Sequence, residues 1–251
     1  MLVPRKRKCV ERQIGARNKS VSVAPDRLMS LIQDALAQKR VIKWGYVRAF
    51  GGLYASECDS VASHGHAVTV LAAVLAYEYE VEIKKATDVS INISDVLLMA
   101  MLHDFGEGRS GDTGASSHGI RGYCDLHALE KEALSESLRD LVVHDRALKL
   151  FDDYRAYRTP EAILVHIADN LEGFEKGIHS SRGTGPILSD VRRILLENLK
   201  IYQDRAEHGD KLHSITTFLV ENILLPGVSG ICKVYNVNLD VDQLWQNADF
   251  E

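Results

Sequence analysis

The apolar positions of this chain recur mainly at helical spacing. After a polar, aperiodic stretch to about residue 22, PDRLMSLIQDALAQKR places Leu28, Leu31, Ile32 and Ala35 three and four apart behind Pro25, a residue suited to a helix's first turn. The run VIKWGYVRAFGGLYASECD is interrupted by Gly45, Gly51 and Gly52. The helical period resumes in SVASHGHAVTVLAAVLAYEYE, with Asp59 or Ser60 as its cap. A polar link around KKATDVSINIS precedes a helix expected from about Asp95 to Phe105. That helix is apolar on nearly every side and is therefore expected to be central. The glycine- and serine-rich GEGRSGDTGASSHGIRG predicts a long loop.

Three further helices are expected near 125–141, 144–157 and 160–177, then a loop at 179–186 (HSSRGTGP) that could act as a lid. Helices near 187–207 and 210–224 follow, and after Pro226 the period-two alternation of KVYNVNLDVD predicts a short strand or hairpin. The fold class is therefore all-α, with a possible short β-hairpin near the C-terminus. The expected organisation is a basic arm over 1–22, a helical core over 23–180 and a C-terminal helical extension over 181–251 packed on that core.

Composition narrows the picture. With 251 residues and 45% apolar content the chain can bury a core of its own. A net charge of −5 gives no case for a nucleic-acid or membrane surface, and the basic PRKRK at residues 4–8 reads as a solvated tail. Cys9, Cys58, Cys124 and Cys232 form no CxxC pair, which fits a reducing compartment and argues against a disulfide scaffold or zinc ribbon. The reading shows no secretory signal and no apolar run approaching the roughly 20 residues of a membrane span, so a soluble cytoplasmic protein is expected.

The chemistry concentrates in LLMAMLHDFGEGRSGD, residues 97–112. A His-Asp pair occurs twice, so the dipeptide alone says little. His144-Asp145 lies in an ordinary amphipathic stretch, whereas His103-Asp104 closes the apolar helix. There an unpaired carboxylate would cost several kcal/mol, and a divalent cation is one way to neutralise it. Further ligands should come from buried helix faces. His64 shares an apolar stripe with Val61, Val68, Leu71 and Leu75. Asp169 sits among Ile167, Ala168 and Leu171, with either His166 or a metal as its partner.

His64, His103, Asp104 and Asp169 thus make a candidate metal set of two imidazoles and two carboxylates. It suits manganese, iron, cobalt, nickel or zinc better than calcium, with magnesium also among the candidate ions, and leaves positions for water and substrate. Such an ion acidifies bound water, which suits hydrolysis. Glu107, one turn after His103, is the candidate acid/base, with Asp112 completing a proton relay or holding a substrate hydroxyl. Lys43, Arg48, Arg109 and His118 are candidate phosphate donors, and Trp44 could stack on a sugar-base unit.

Four segments in order, DSVASHG, HDFGEGRSGD, LEKEAL and HIADNLE, resemble the HD-domain phosphohydrolase superfamily, in particular its 5′-deoxynucleotidase branch. The resemblance spans roughly residues 40–177. It implies a compact helical bundle, metal bound by His64, His103, Asp104 and Asp169, and family acid/base and substrate roles for Glu107 and Asp112. It also implies a homodimer hydrolysing deoxynucleoside 5′-monophosphates to deoxynucleoside and phosphate. The alternatives are a dNTP triphosphohydrolase or a non-catalytic nucleotide-binding module. The chain departs from the branch at Ser63, Gly65 and Lys43-Trp44, and in a longer gap between Trp44 and His64.

Overall fold

The computed structural model describes residues 25–43, 59–112, 126–181, 186–207, 210–241 and 243. The arm over 1–22 lies outside them. The helices are α1 (Pro25–Ala37), α2 (Val61–Thr87), α3 (Ile93–Leu102), α4 (Glu107–Ser110), α5 (Leu126–Leu138) and α6 (His144–Arg155). They continue with α7 (Pro160–Ser181), α8 (Pro186–Glu207), α9 (Asp210–Leu219) and α10 (Leu225–Val234). Among the described residues there is no sheet, only one isolated bridge between Ile42 and Ser60. That bridge ties the segment carrying Lys43 to the start of α2.

Local chemistry fixes the two helices that matter most. Ser60 caps α2 by accepting from the Ser63 N–H, while the Ser63 hydroxyl accepts from the Ser60 N–H at 2.9 Å. This is a capping box in which serine does the work of the usual acidic residue at its third position, so the Ser63 departure keeps the cap intact. The helix takes in the first four residues, Lys84 to Thr87, of the link expected at KKATDVSINIS and stops at Asp88, whose φ of +56° is left-handed. Lys84 on the last turn then binds the Asp88 carboxylate. Asn92 caps α3, which ends at the His-Asp pair.

Two apolar clusters hold that pair from opposite sides. The larger joins α2, α3 and α7 to α8, α9 and α10 through residues such as Val68, Ala72, Met99, Ile163, Leu199, Leu219 and Val228. The smaller lies under α5 and α6, built on Leu102, Leu134, Leu138, Ala147 and Phe151. Leu98 touches both, so the end of α3 is wedged between them. The most enclosed helix is α7, where Ala162 to Val165, Ile167 and Ala168 have no exposed surface. By contrast, α3 leaves Met101 57% exposed.

Four expectations are corrected. The segment after Pro226 forms no hairpin: α10 continues to Val234, and the chain stops it with a left-handed Asn236. The Val237 N–H reaches back to the Cys232 carbonyl and the Asn236 N–H to the Lys233 carbonyl. What looked like strand alternation is a Schellman stop with asparagine at its turning point. The loop expected from Gly106 begins instead with α4, and α7 extends through Ser181 into the expected 179–186 loop. Finally, Leu212–Val234 is a stretch long and apolar enough to cross a membrane by length and composition, with half of it buried inside the fold. It passes through one π turn, Val220–Leu224, just before Pro226, whose missing N–H cannot continue the ladder. Ile215, Leu219, Val220, Leu224 and Val228 turn into the larger cluster, which accounts for its apolarity.

Candidate metal centre

Three helices bring the polar set together. His64 lies one turn into α2, 1% exposed. His103 caps the end of α3, with Asp104 beside it, and Asp169 projects from α7. The Nε2 atoms of the two histidines are 3.3 Å apart. Asp104 Oδ2 is 3.4 Å from His64 Nε2 and 3.2 Å from His103 Nε2. Asp169 Oδ1 is 3.2 Å from His64 Nε2. His64, His103 and Asp169 offer ligand atoms all within 4.8 Å of one another.

The outer ring nitrogens decide what faces inward. His103 Nδ1–H donates to the Ala100 carbonyl at 2.8 Å, and His64 Nδ1–H donates to Glu172 Oε2 at 2.8 Å. Both Nε2 atoms are therefore ligand-ready lone pairs, the arrangement that outer partners impose on metal-binding histidines. Two lone pairs at 3.3 Å repel unless a proton or a cation lies between them, and only one proton fits. With that proton and the Lys43 ammonium the site gathers two positive charges. Against them stand the carboxyl groups of Asp104, Glu107, Asp112, Asp169 and Glu172. Five carboxyl groups against two positive charges leave a deficit of positive charge, so the donor set fits the divalent ion that the sequence predicts.

Electrostatics agree with this deficit. Burial would push Asp104 up, but His103 and Lys43 beside it hold its carboxyl well below the usual range. Asp169 is likewise lowered, its burial outweighed by the hydrogen bond and charge of His64. For His64, burial favours the neutral ring, yet Asp104, Asp169 and Glu172 together raise it well above its ordinary value. Without metal, His64 thus holds a proton at Nε2 through neutral pH. Cation binding must displace it, so apparent affinity is expected to fall as pH is lowered through the raised His64 value, with at least one proton released per ion. Calorimetric titration with manganese in two buffers of different ionisation heat reads that proton; identical heats would contradict it.

Lys43 closes the site from the α1–α2 side. Its Nζ binds Asp104 Oδ2 and both Glu107 oxygens, the latter at 2.9 and 3.0 Å. Burial would lower this ammonium, but Asp104, Glu107 and Asp112 outweigh it and raise it. Glu107, 5% exposed at the start of α4, is pushed up to about 8 by burial first and then by Asp104 and Asp112, with Lys43 opposing. Asp112 is buried just beyond Gly111, whose φ of +76° turns the chain back. Gly106 makes the turn from Asp104 to Glu107 feasible. A Cβ there would lie 2.3 Å from the Glu130 carbonyl oxygen on α5, so any side chain would force two backbones apart.

Other sequence candidates fall elsewhere. Arg109 is closed on Asp34 of α1 through two bonds of 2.8 and 2.7 Å, and it fastens α1 to α4. Trp44, Arg48 and His118 lie outside the described residues. His166 is not the partner of Asp169: its Nε2–H donates to the Tyr154 carbonyl at 2.8 Å. That role belongs to Tyr154, whose hydroxyl donates to Asp169 Oδ2 at 3.0 Å. Sequence reasoning missed both Tyr154 and Glu172. Glu172 carries one signal, since it follows Asp169 by three residues and so shares its helix face. At the second pair, His144 Nδ1 meets only its neighbour's carboxylate among the described contacts of Asp145, which is fully exposed.

The sequence matches the HD domain family over residues 53–185, more than half of the chain. This chain belongs to the HD domain family. The proteins of that family are in general metal-dependent phosphohydrolases, and the described His-His-Asp cluster is compatible with a divalent ion. Among solved structures, a conserved hypothetical protein from Pyrococcus furiosus is similar at 26% identity over 68% of this chain and 97% of its own, with a TM-score of 0.49. The PH0347 protein from Pyrococcus horikoshii is similar at 18% identity over 87% of this chain and 98% of its own, with a TM-score of 0.48. Neither name states an activity. No curated protein matches the chain.

Proposed function

We propose that this HD-domain protein is a phosphomonoesterase that converts deoxynucleoside 5′-monophosphates to deoxynucleosides and phosphate. The observation that carries the hydrolytic part is the contact of Lys43 with both Asp104 and Glu107, which sets a cation and a proton-transfer group beside the metal ligands. The nucleotide part is supported by the ordered segments DSVASHG, HDFGEGRSGD, LEKEAL and HIADNLE.

His64, His103, Asp104 and Asp169 would hold the ion. When bound, a divalent ion supplies Lewis-acid charge to a phosphoryl oxygen and acidifies water. The protein's own groups do the rest. Glu107 takes a proton from the attacking water as the water oxygen bonds to phosphorus. The bond from phosphorus to the 5′ oxygen breaks, and Glu107 returns the proton to that leaving oxygen. A carboxyl whose value lies near neutrality suits both halves of this exchange. Lys43 donates to phosphate oxygens and offsets charge that builds on them. The Asp169 side chain is 30% exposed, which supports substrate access past it.

A panel of nucleoside mono-, di- and triphosphates, with each product identified, tests this reading. Deoxynucleoside monophosphates are expected to give free phosphate at the highest kcat/KM. Release of intact triphosphate from dNTPs would replace the reading with a triphosphohydrolase. Absence of turnover with every substrate in metal-loaded protein would leave a nucleotide-binding module.

A further inference from the structure

Asp169 divides its two oxygens between opposite neighbours. Oδ1 faces His64 Nε2 at 3.2 Å, within the candidate cage. Oδ2 accepts the Tyr154 hydroxyl at 3.0 Å, on the other side. Tyr154 comes from α6 and is 3% exposed, so its hydroxyl is held among few alternative partners. Its ring is also clamped. It stacks on His166 at 3.8 Å and 13°, and meets the edge of His103 at 5.4 Å and 63°. His166 is itself stacked on Tyr157 at 3.7 Å and 7°, and its Nε2–H holds the Tyr154 carbonyl. Burial lowers His166 to about 4, so the stack stays uncharged at neutral pH. Tyr157 meets Tyr202 of α8 edge-on, which anchors the column in the larger apolar cluster.

A carboxylate can give a cation one oxygen or both. A free Oδ2 on Asp169 could swing toward the ion and take a position that water or substrate needs. A hydroxyl fixed on Oδ2 prevents this, because binding the ion through that oxygen would leave a buried donor unsatisfied. We propose that Tyr154 is a positioning residue that restricts Asp169 to a single donor oxygen, Oδ1, and thereby keeps a coordination position exchangeable. The proposal rests on the metal-centre reading and is independent of which phosphate ester is hydrolysed.

The test uses the full chain with Mn2+ as probe. Equilibrium dialysis gives ion content, and water-proton relaxation per bound ion reports exchangeable water. Tyr154→Phe removes only the hydroxyl. It is expected to bind Mn2+ with wild-type stoichiometry, while relaxation per ion falls by roughly half as two exchangeable positions become one. Its kcat should fall with KM little changed on a generic aryl phosphate. Tyr202→Phe, in the same aromatic column, should keep wild-type relaxation, whereas a purely structural role for the column would move both variants alike. Unchanged relaxation in fully loaded Tyr154→Phe overturns the proposal. So does loss of Mn2+ from a folded Tyr154→Phe protein, because the hydroxyl would then hold the ligand in place rather than limit it. If that variant does not fold, His166→Asn, which unstacks the ring but leaves the hydroxyl, must show the reduced relaxation; a wild-type value there also overturns the proposal. Failure of the wild-type chain to bind Mn2+ overturns the metal centre itself, a result distinct from all of these.

Discussion

Replacing Glu107 with glutamine is expected to leave metal binding intact and lower turnover by roughly 10²–10⁴-fold, the usual contribution of a positioned acid/base. The geometry separates the two properties. Glu107 contacts Lys43 through both oxygens, and Lys43 in turn contacts Asp104, so Glu107 stands one residue removed from the donor atoms. Glutamine keeps an oxygen for Lys43 but cannot carry a proton. The pH profile gives the sign. In the metal-free protein Glu107 is raised to about 8, chiefly by burial and by Asp104. A cation on Asp104 cancels that repulsion, so in the loaded enzyme the rise in activity with pH belongs between the ordinary carboxyl range and about 8. The variant should lack this rise.

Stability supplies a second check on the same variant. A carboxyl raised on folding makes the native state bind more protons than the unfolded chain. It therefore costs stability progressively as pH climbs from its unfolded value toward about 8. Removing the ionisable group removes that cost, so the metal-free variant should melt no lower than wild type at neutral pH. Full activity in Glu107→Gln, measured with metal content matched to wild type, would remove Glu107 from proton transfer.

How much of this was legible in the sequence depends on local contrast. His103, Asp104, His64 and Asp169 stand out because polar side chains interrupt apolar faces, and burial of such groups demands a partner. Glu172 lacks that contrast. Asn170, Glu175 and Lys176 surround it, so a carboxylate pinning the His64 ring reads as one more polar residue. Tyr154 hides for a different reason: in YRAYRT a tyrosine fits an ordinary half-buried face, and only the packing of α6 on α7 shows its hydroxyl on Asp169. The buried stripe of α2 matches the sequence reading at Val61, His64 and Val68 and departs from it by one position beyond them. It follows Val68, Ala72 and Ala76, with Leu71 and Leu75 half-buried. Val70, Val74 and Val81 keep about half their surface exposed, so the helix is apolar on several faces and periodicity alone cannot choose among them. Small residues sit where helices approach closest, and hydrophobicity under-weights them. The all-α class was clear because helical spacing recurs over most of the chain. The expected hairpin failed because period two over a few residues is also what the final turn of α10 and its asparagine stop produce.

The second large effect belongs to Asp104. Its Oδ2 lies within 3.2–3.4 Å of both imidazole Nε2 atoms and also binds Lys43. Asp104→Asn is expected to abolish stoichiometric cation binding and to lower turnover by more than about 10⁴-fold, since both the ion's charge stabilisation and the water it acidifies are lost. The reason is more specific than a missing charge. The Oδ2 position serves Lys43 and both imidazoles at once: an amide oxygen there is a weaker ligand than a carboxylate, and an amide NH2 there would set donor against donor at Lys43. The charge also stabilises the metal-free fold, because His103 and Lys43 hold the Asp104 carboxyl well below its ordinary range, so the metal-free variant should melt below wild type at neutral pH even though repulsion on Glu107 and Asp169 is relieved. Added Mn2+ should then fail to raise that temperature, whereas it raises that of the wild type by mass action. The second His-Asp pair supplies the control. Asp145 is exposed and pairs only with the adjacent His144 among the described contacts, so Asp145→Asn should leave metal content, melting and turnover at wild-type levels. If Asp104→Asn kept its metal after dialysis, or if both variants behaved alike, the two identical dipeptides would be chemically equivalent. The placement of the first at the inner end of α3, between two apolar clusters and beside the helices that carry His64 and Asp169, would then have no bearing on what the protein does.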